Sequence, residues 1–324
     1  MDVNVSELSK TYKVFKKEPG IKSSVKSLLK REYQYIKAVK DISFQIKSNE
    51  IVGLIGSNGS GKTTTLKMLS GLLSSSSGEI SIGGINPFKK DKQFLKQLGF
   101  VTGQKGQLRP DLPAMDSYDL LIEIYELDRK PAMQYIQKLS EQLSIESILH
   151  QPVRNLSLGQ RMKCELVASL IHRPKLLLLD EPTLGLDFES SESIRKIIKT
   201  EVEENNSTVI LSSHILDDIQ ELCKKILIIN QGTLVFDDTI SNCFNQYAVK
   251  KIISARFKKE LISQAVQIYP LAITDVGETM VSWEVERNQI ANIAHNIMQH
   301  MPIEDITIKE PPLGQVVESI IKGV

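Results

Sequence analysis

Gly56-Ser57-Asn58-Gly59-Ser60-Gly61-Lys62-Thr63-Thr64 has the residue types and spacing of a phosphate cradle, GxxxxGK[ST]. Chemistry at a polyphosphate needs backbone N–H groups aimed at one place, a cation and a hydroxyl for a metal ion. Glycines let the backbone come close where a Cβ would intrude. Lys62 is the cation that would reach the β- and γ-phosphates, and Thr63 would offer its hydroxyl to Mg²⁺. A second reactive group lies downstream, where Lys175-Leu-Leu-Leu-Leu-Asp180-Glu181-Pro182 ends an apolar run in two carboxylates. A carboxylate at the end of a buried strand beside a phosphate loop is placed to hold Mg²⁺. His214 stands just beyond a further apolar run, Thr208-Val-Ile-Leu-Ser212. Tyr12 offers a flat face that could stack on a purine or simply pack in its strand, and its position alone leaves both open.

These residues need elements to hold them. Glu50-Ile-Val-Gly-Leu-Ile55 predicts a buried strand before the loop, and Thr65-Leu66-Lys67-Met68-Leu69 a helix after it. A strand turning into a helix start brings the positive end of the helix dipole to the phosphates. Val3–Leu8 alternates as a half-buried strand, Val39–Ile46 reads as a second, and Glu79–Ile82 as a third. Phe94–Leu98 predicts a helix ending at Gly99, and Phe100–Thr102 a strand reaching Gln104. From Asp116 to His150 the apolar spacing is helical throughout, which marks a helical subdomain over residues 105–157. Arg161 to His172 continues as helix, and Ile226–Ile229 with Thr233–Phe236 forms a hairpin at Gly232.

Residues 14–38 are the most basic stretch, with Lys16, Lys17, Lys22, Lys26, Lys30, Arg31 and Lys37. From Ile21 the apolar residues fall at helical spacing and leave the lysines on another face. That pattern suits either a solvated helix or a basic amphipathic helix lying on anionic headgroups. The net charge of the 324-residue chain is only +1, so nothing global draws it to nucleic acid. Three scattered cysteines, Cys164, Cys223 and Cys243, fit buried thiols of a reducing compartment. The amino terminus lacks a signal peptide pattern, and no apolar run approaches the ~20 residues of a membrane helix. The expected location is therefore cytoplasmic, with any membrane work done through another chain.

With Leu156-Ser157-Leu158-Gly159-Gln160 and Leu184-Gly185-Leu186-Asp187 added, residues 3 to about 240 resemble the ATP-binding subunits of ATP-binding cassette (ABC) transporters. The resemblance implies an α/β P-loop fold, a RecA-like core with an antiparallel β subdomain and a helical subdomain. It also implies ATP and Mg²⁺ as ligands. On it, Tyr12 is the adenine-stacking aromatic and Gly56 to Thr64 the Walker A loop. Gln104 senses Mg²⁺ and the attacking water, and Asp180 is the Walker B carboxylate. Glu181 is the general base, Asp187 belongs to the loop that crosses the dimer, and His214 is the switch histidine. Ser157 and Gly159 of the signature motif would meet the nucleotide of an opposite subunit, so the resemblance implies a head-to-tail dimer, with self-pairing permitted. The signature departs from the commonest form, because Leu158 stands where a glycine is usual. LSLGQ and the basic insert look like a bacterial exporter subgroup. Separate membrane-spanning permease subunits are the implied partners, and the cytoplasmic face of the membrane the implied location. The loop Lys105–Pro113, with Leu108 and Leu112, is the expected permease contact. An alternative is a soluble ABC ATPase acting on ribosomes or nucleic acid. The chain has one cassette and no heptad insertion to favour it.

Beyond residue 245 the pattern changes. Residues 246–324 read as a strand, helix, hairpin near Gly277, helix, strand and final helix, the order of a small ferredoxin-like α+β domain after a 1–245 nucleotide-binding domain. No cluster there looks catalytic, and the fold does not name a role.

Overall fold

The computed structural model describes residues 1–15, 33–102, 106–268 and 273–323. They form two compact units, Met1–Asp237 and Asp238–Val324.

The first unit contains β1 (Val3–Phe15), β2 (Tyr33–Ile46), β3 (Ile51–Ile55), β4 (Ser77–Ile82), β5 (Leu98–Thr102), β6 (Leu176–Asp180), β7 (Thr208–Ser212), β8 (Lys225–Asn230) and β9 (Thr233–Thr239). Six of them make one sheet in the order β5-β6-β7-β3-β8-β9. Strands β5, β6, β7, β3 and β8 are parallel neighbours, in register at Leu98↔Leu176, Leu176↔Thr208, Ile51↔Val209 and Val52↔Lys225. Every residue of β6 and β7 is buried. Elements cover both faces of such a sheet, which is why these strands read as unbroken apolar runs instead of alternating.

A second, antiparallel sheet has the order β2-β1-β4. Val3, Val5, Ile42, Phe44 and Ile80 from it share one core cluster with Leu176, Leu178 and Ile210 of the large sheet. Leu66, Met68 and Leu69 belong to that same cluster. The helix Lys62–Leu69 is thus gripped by packing, and the loop before it is held from its far end.

The helical subdomain is as expected in kind: helices Ala114–Ile124 and Arg129–Leu143 contain its long apolar repeats. Helix Leu158–Leu170 starts earlier than the sequence suggests, because Ser157 and Gln160 close a capping box at its first turn. Three further expectations need correction. The helix expected at Phe94–Leu98 is the single turn Lys92–Leu95, and Leu98 and Gly99 already pair with Leu176 and Leu177. The basic insert is shorter than 14–38, because β1 and β2 stay paired out to Phe15↔Tyr33 and so contain Val14, Phe15 and Tyr33–Lys37. The helix expected from Ile21 lies outside the described residues. Finally, Leu108 is 4% exposed and cannot serve as a docking side chain, whereas Leu112 is 40% exposed. Among the described residues no helix is long and apolar enough to cross a membrane.

The second unit contains β10 (Lys250–Arg256), β11 (Ile273–Val276), β12 (Met280–Glu286) and β13 (Asp305–Lys309). Their sheet order is β11-β12-β10-β13, with antiparallel pairing throughout. With helices Ile262–Ile268 and Ile290–His300 between the strands, this is the ferredoxin-like arrangement. Gly277 donates its N–H to Met280 O at 2.8 Å and closes the β11–β12 turn. Trp283 and Phe257, packed edge to face at 6.2 Å, centre the core of this unit.

Candidate functional site

The loop from Gly56 to Gly61 leaves the carboxyl end of β3 and enters the helix Lys62–Leu69. Gly59 and Gly61 have φ of +79° and +115°, values that L side chains resist. A Cβ on Gly61 would lie 2.7 Å from Ala38 O, whereas one on Gly59 would meet nothing within 4 Å. Gly61 is therefore fixed by close packing, and Gly59 by backbone conformation alone. The Ser60 hydroxyl is buried without a hydrogen-bond partner, which suits a cradle built for an oxygen-rich ligand. Lys62 Nζ donates to the loop carbonyls of Gly56 at 2.7 Å and Ser57 at 3.3 Å. An ammonium has three donors, so one remains for a phosphate.

The carboxyl ends of β6 and β7 lie beside this loop. Thr63 Oγ1 donates to Asp180 Oδ1 at 3.1 Å, and Ser212 Oγ donates to the same oxygen at 2.6 Å. On β7 the register partner of Asp180 is Ser212 itself. Glu181 follows with φ +55° and donates its N–H to Ser212 O at 3.0 Å. Its carboxylate lies 3.8 Å from Lys62 Nζ and 2.6 Å from His214 Nδ1. Lysine, threonine, two carboxylates and histidine thus converge at one end of the sheet, with donors and acceptors arranged for a metal-bound triphosphate. The residues fit Mg²⁺ as well, since a hydroxyl and a carboxylate leave most of its octahedron to phosphate and water oxygens.

This group lines a cleft of about 1560 Å³ together with Leu158, Leu184 and Gly185. Tyr12, half-buried on β1, puts its hydroxyl 3.5 Å from Thr64 Oγ1, so its ring is beside the phosphate-loop helix. Ser157 and Leu158 are exposed at the start of helix Leu158–Leu170, and Gly159 is buried. A Cβ on Gly159 would come within 2.9 Å of Ser190 Oγ, which explains why a glycine stands there. Asp187 caps helix Phe188–Asn205, accepting from Ser190 N at 2.8 Å and Ser190 Oγ at 3.0 Å. These two bonds hold its carboxyl below the usual range. Gln104 lies outside the described residues.

The sequence of residues 39–184 matches the family described as ABC transporter. The linearmycin resistance ATP-binding protein LnrL of Bacillus subtilis is 33% identical over 299 residues, 89% of this chain and 94% of that protein. The chain belongs to the ABC transporter ATP-binding proteins. The ABC transporter ATP-binding protein NatA of Bacillus subtilis is 32% identical over 209 residues, 64% of this chain and 85% of NatA. A solved ATP-binding cassette, dimeric in a post-hydrolysis state with ADP and Pi, is 25% identical. It superposes with a TM-score of 0.61 over 74% of this chain and 98% of its own. This member of the family is accordingly an ABC ATPase, and its fold is the P-loop cassette.

Two residues that support these segments were not legible in the sequence. Ser212 is one: serines are common, and only the β6–β7 register reveals that it faces Asp180. Glu165 is another. It is 4% exposed and accepts the N–H groups of Gln107 at 2.7 Å and Leu108 at 3.4 Å, fastening the segment after Gln104 to the signature helix. Burial raises its carboxyl above the usual range although both bonds oppose the shift.

Proposed function

We propose that this chain is the ATP-hydrolysing motor subunit of a bacterial exporter, closing head to tail with a second cassette over two MgATP and driving separate membrane-spanning permeases. The observation that carries the reading is the meeting of Glu181 and His214 at 2.6 Å beside Lys62 and Asp180. Tyr12 stacks on the adenine. Gly56, Ser57, Asn58, Gly59, Ser60, Gly61 and Thr64 surround the phosphates with N–H and hydroxyl groups, and Lys62 balances their charge. Thr63 and Asp180 hold Mg²⁺, directly or through water, with Gln104 as a further contact implied by the resemblance. Mg²⁺, when bound, supplies positive charge to the transferring phosphoryl group. Glu181 orients water and accepts its proton, while His214 holds the Glu181 carboxylate and faces the γ-phosphate. Ser157 and Gly159 supply contacts to the nucleotide on the opposite subunit. Loss of the γ-phosphate removes that bridge, so hydrolysis becomes opening.

Export is supported by relatives named for linearmycin resistance and bacitracin transport. Glu181→Gln should abolish turnover while retaining ATP affinity and giving a long-lived dimer. A variant that hydrolyses at the wild-type rate removes Glu181 as base. The same variant, tagged and held with ATP and Mg²⁺, should copurify multi-span membrane proteins from detergent extracts. Recovery of ribosomes or nucleic acid instead overturns the exporter reading.

The proposal includes a lipid contact at the far end of the β1–β2 pair and a peripheral position on the cytoplasmic face of the membrane. Val14, Tyr33, Tyr35 and Ile36 are exposed there, and Lys13 Nζ lies 4.0 Å above the Tyr33 ring. Aromatic and aliphatic side chains among lysines are the chemistry of an anionic interface. The chain should pellet with phosphatidylserine vesicles and not with phosphatidylcholine vesicles, and Tyr35→Ser with Ile36→Ser should weaken that. Equal binding to both vesicle types removes the lipid contact.

A further inference from the structure

Glu181 is held in a left-handed backbone conformation that few non-glycine residues adopt, so its surroundings must fix it. Part of that fixing comes from Ser212, as described above. The rest lies two residues further on, in a buried polar cluster outside the nucleotide site. Thr183, 2% exposed, donates its hydroxyl to Asp218 Oδ2. Asp218 is four residues beyond His214, on helix Leu216–Leu222, and is 1% exposed. Arg195, on helix Phe188–Asn205, donates from Nη1 to Asp218 Oδ1 at 2.5 Å and from Nη2 to Glu192 at 2.8 Å. Its Nε lies 2.9 Å from Glu221 Oε2. One buried carboxylate therefore ties together the turn after Glu181, the helix after His214 and the helix after Asp187.

We propose that Thr183, Asp218 and Arg195 are positioning residues for hydrolysis, locking the two chain segments that bring Glu181 and His214 together. The inference rests on the reading of Glu181 as general base. A buried ion pair alone would be an ordinary structural feature, and it is weak evidence even for stability. Thr183 is what separates the two cases. Arg195 already neutralises Asp218, so the hydroxyl adds no charge balance. What it adds is a fixed distance between the 181–183 turn and the 214–218 segment. The lock is a clamp on geometry, and a misplacement of about 1 Å at a reacting centre can cost roughly 100-fold in rate.

The test is steady-state ATP turnover of the full-length chain carrying Thr183→Val, Thr183→Ser or Asp218→Asn. Valine keeps the branched shape and removes the donor, so kcat should fall roughly 10- to 100-fold while KM for ATP stays within about 2-fold. Serine restores the donor and should recover kcat to within about 3-fold of wild type. Adding Thr183→Val to Glu181→Gln should leave ATP-dependent dimerisation unchanged. Asp218→Asn keeps the shape with a weaker acceptor, should lower kcat at constant KM, and carries the test should the valine variant melt too low to assay. Wild-type kcat in the valine or asparagine variants overturns the proposal. So does a loss that serine does not repair, or a rise in KM that matches the fall in kcat. Glu181→Gln alone tests the underlying reading, so the two can fail separately.

Discussion

At the scale of single residues, the site is organised around one oxygen of Asp180. Thr63 and Ser212 both donate to Oδ1, at 3.1 and 2.6 Å, so this oxygen is aimed from two sides. If Asp180 holds Mg²⁺ as proposed, Ser212 matters without touching the metal, because groups that orient a ligand commonly set metal affinity by 10- to 100-fold. Ser212→Ala should therefore raise the Mg²⁺ concentration for half-maximal turnover by roughly 10-fold with KM for ATP at saturating Mg²⁺ little changed. An unchanged Mg²⁺ requirement would assign the hydroxyl to its other contact, the N–H of Glu181 at 3.2 Å from Ser212 Oγ. The motif residues were legible because chemistry fixes their spacing along the chain: Gly56 to Thr64, Ser157 to Gly159, and Asp180-Glu181. Ser212, Thr183 and Asp218 were not, because their partners are set by strand register and helix packing and lie far off along the chain.

At the scale of elements, the sequence pattern succeeded where burial is uniform and failed where tertiary pairing overrides it. LLLL in β6 and VIL in β7 could only be buried strand. Leu98, by contrast, sat at helical spacing with Phe94, and the ladder with Leu176 claimed it for β5. Helix Phe188–Asn205 went unread because Asp187 carried a motif role that hid its second use as a helix cap. His172 shows what such junctions cost. It stacks on Tyr125 at 4.0 Å, and its Nε2 lies 3.0 Å from Leu98 O, where the neutral ring donates. Its buried Nδ1 has no partner, so a second proton there would be unsatisfied. Burial accordingly lowers its pKa from 6.5 to about 4. Native His172 resists a proton that the unfolded chain accepts, so stability is complete above pH 6.5 and is lost as pH falls towards 4. The gap corresponds to about 3 kcal/mol. His172→Phe, which keeps the stack on Tyr125, should flatten the fall in melting temperature between pH 6.5 and 4 relative to wild type. Parallel curves for the two proteins would mean that the imidazole does not titrate against folding.

At the scale of the whole molecule, the question is whether the two halves of the proposed site close within one chain or between two. The phosphate loop and Glu181 lie at the ends of β3 and β6, whereas Ser157 is exposed at the start of helix Leu158–Leu170, its hydroxyl accepting the capping N–H of Gln160. A hydroxyl has further capacity, and an exposed capping serine can turn it to a ligand on another subunit. If two copies close head to tail, each site takes Lys62 from one chain and Ser157 from the other. Lys62→Ala and Ser157→Ala should then each abolish turnover alone. Mixed in equal amounts, half of the dimers combine the two variants, and each of these has one site with both residues intact and one with neither. Twofold symmetry therefore predicts recovery to about a quarter of wild-type turnover if the sites act independently. Strong coupling between the sites would lower that figure without abolishing it. A site completed within one chain would give no recovery at any mixing ratio while each variant still dimerised. The mixing curve thus decides whether the signature serves its own chain or its partner, the distinction on which conversion of hydrolysis into motion depends.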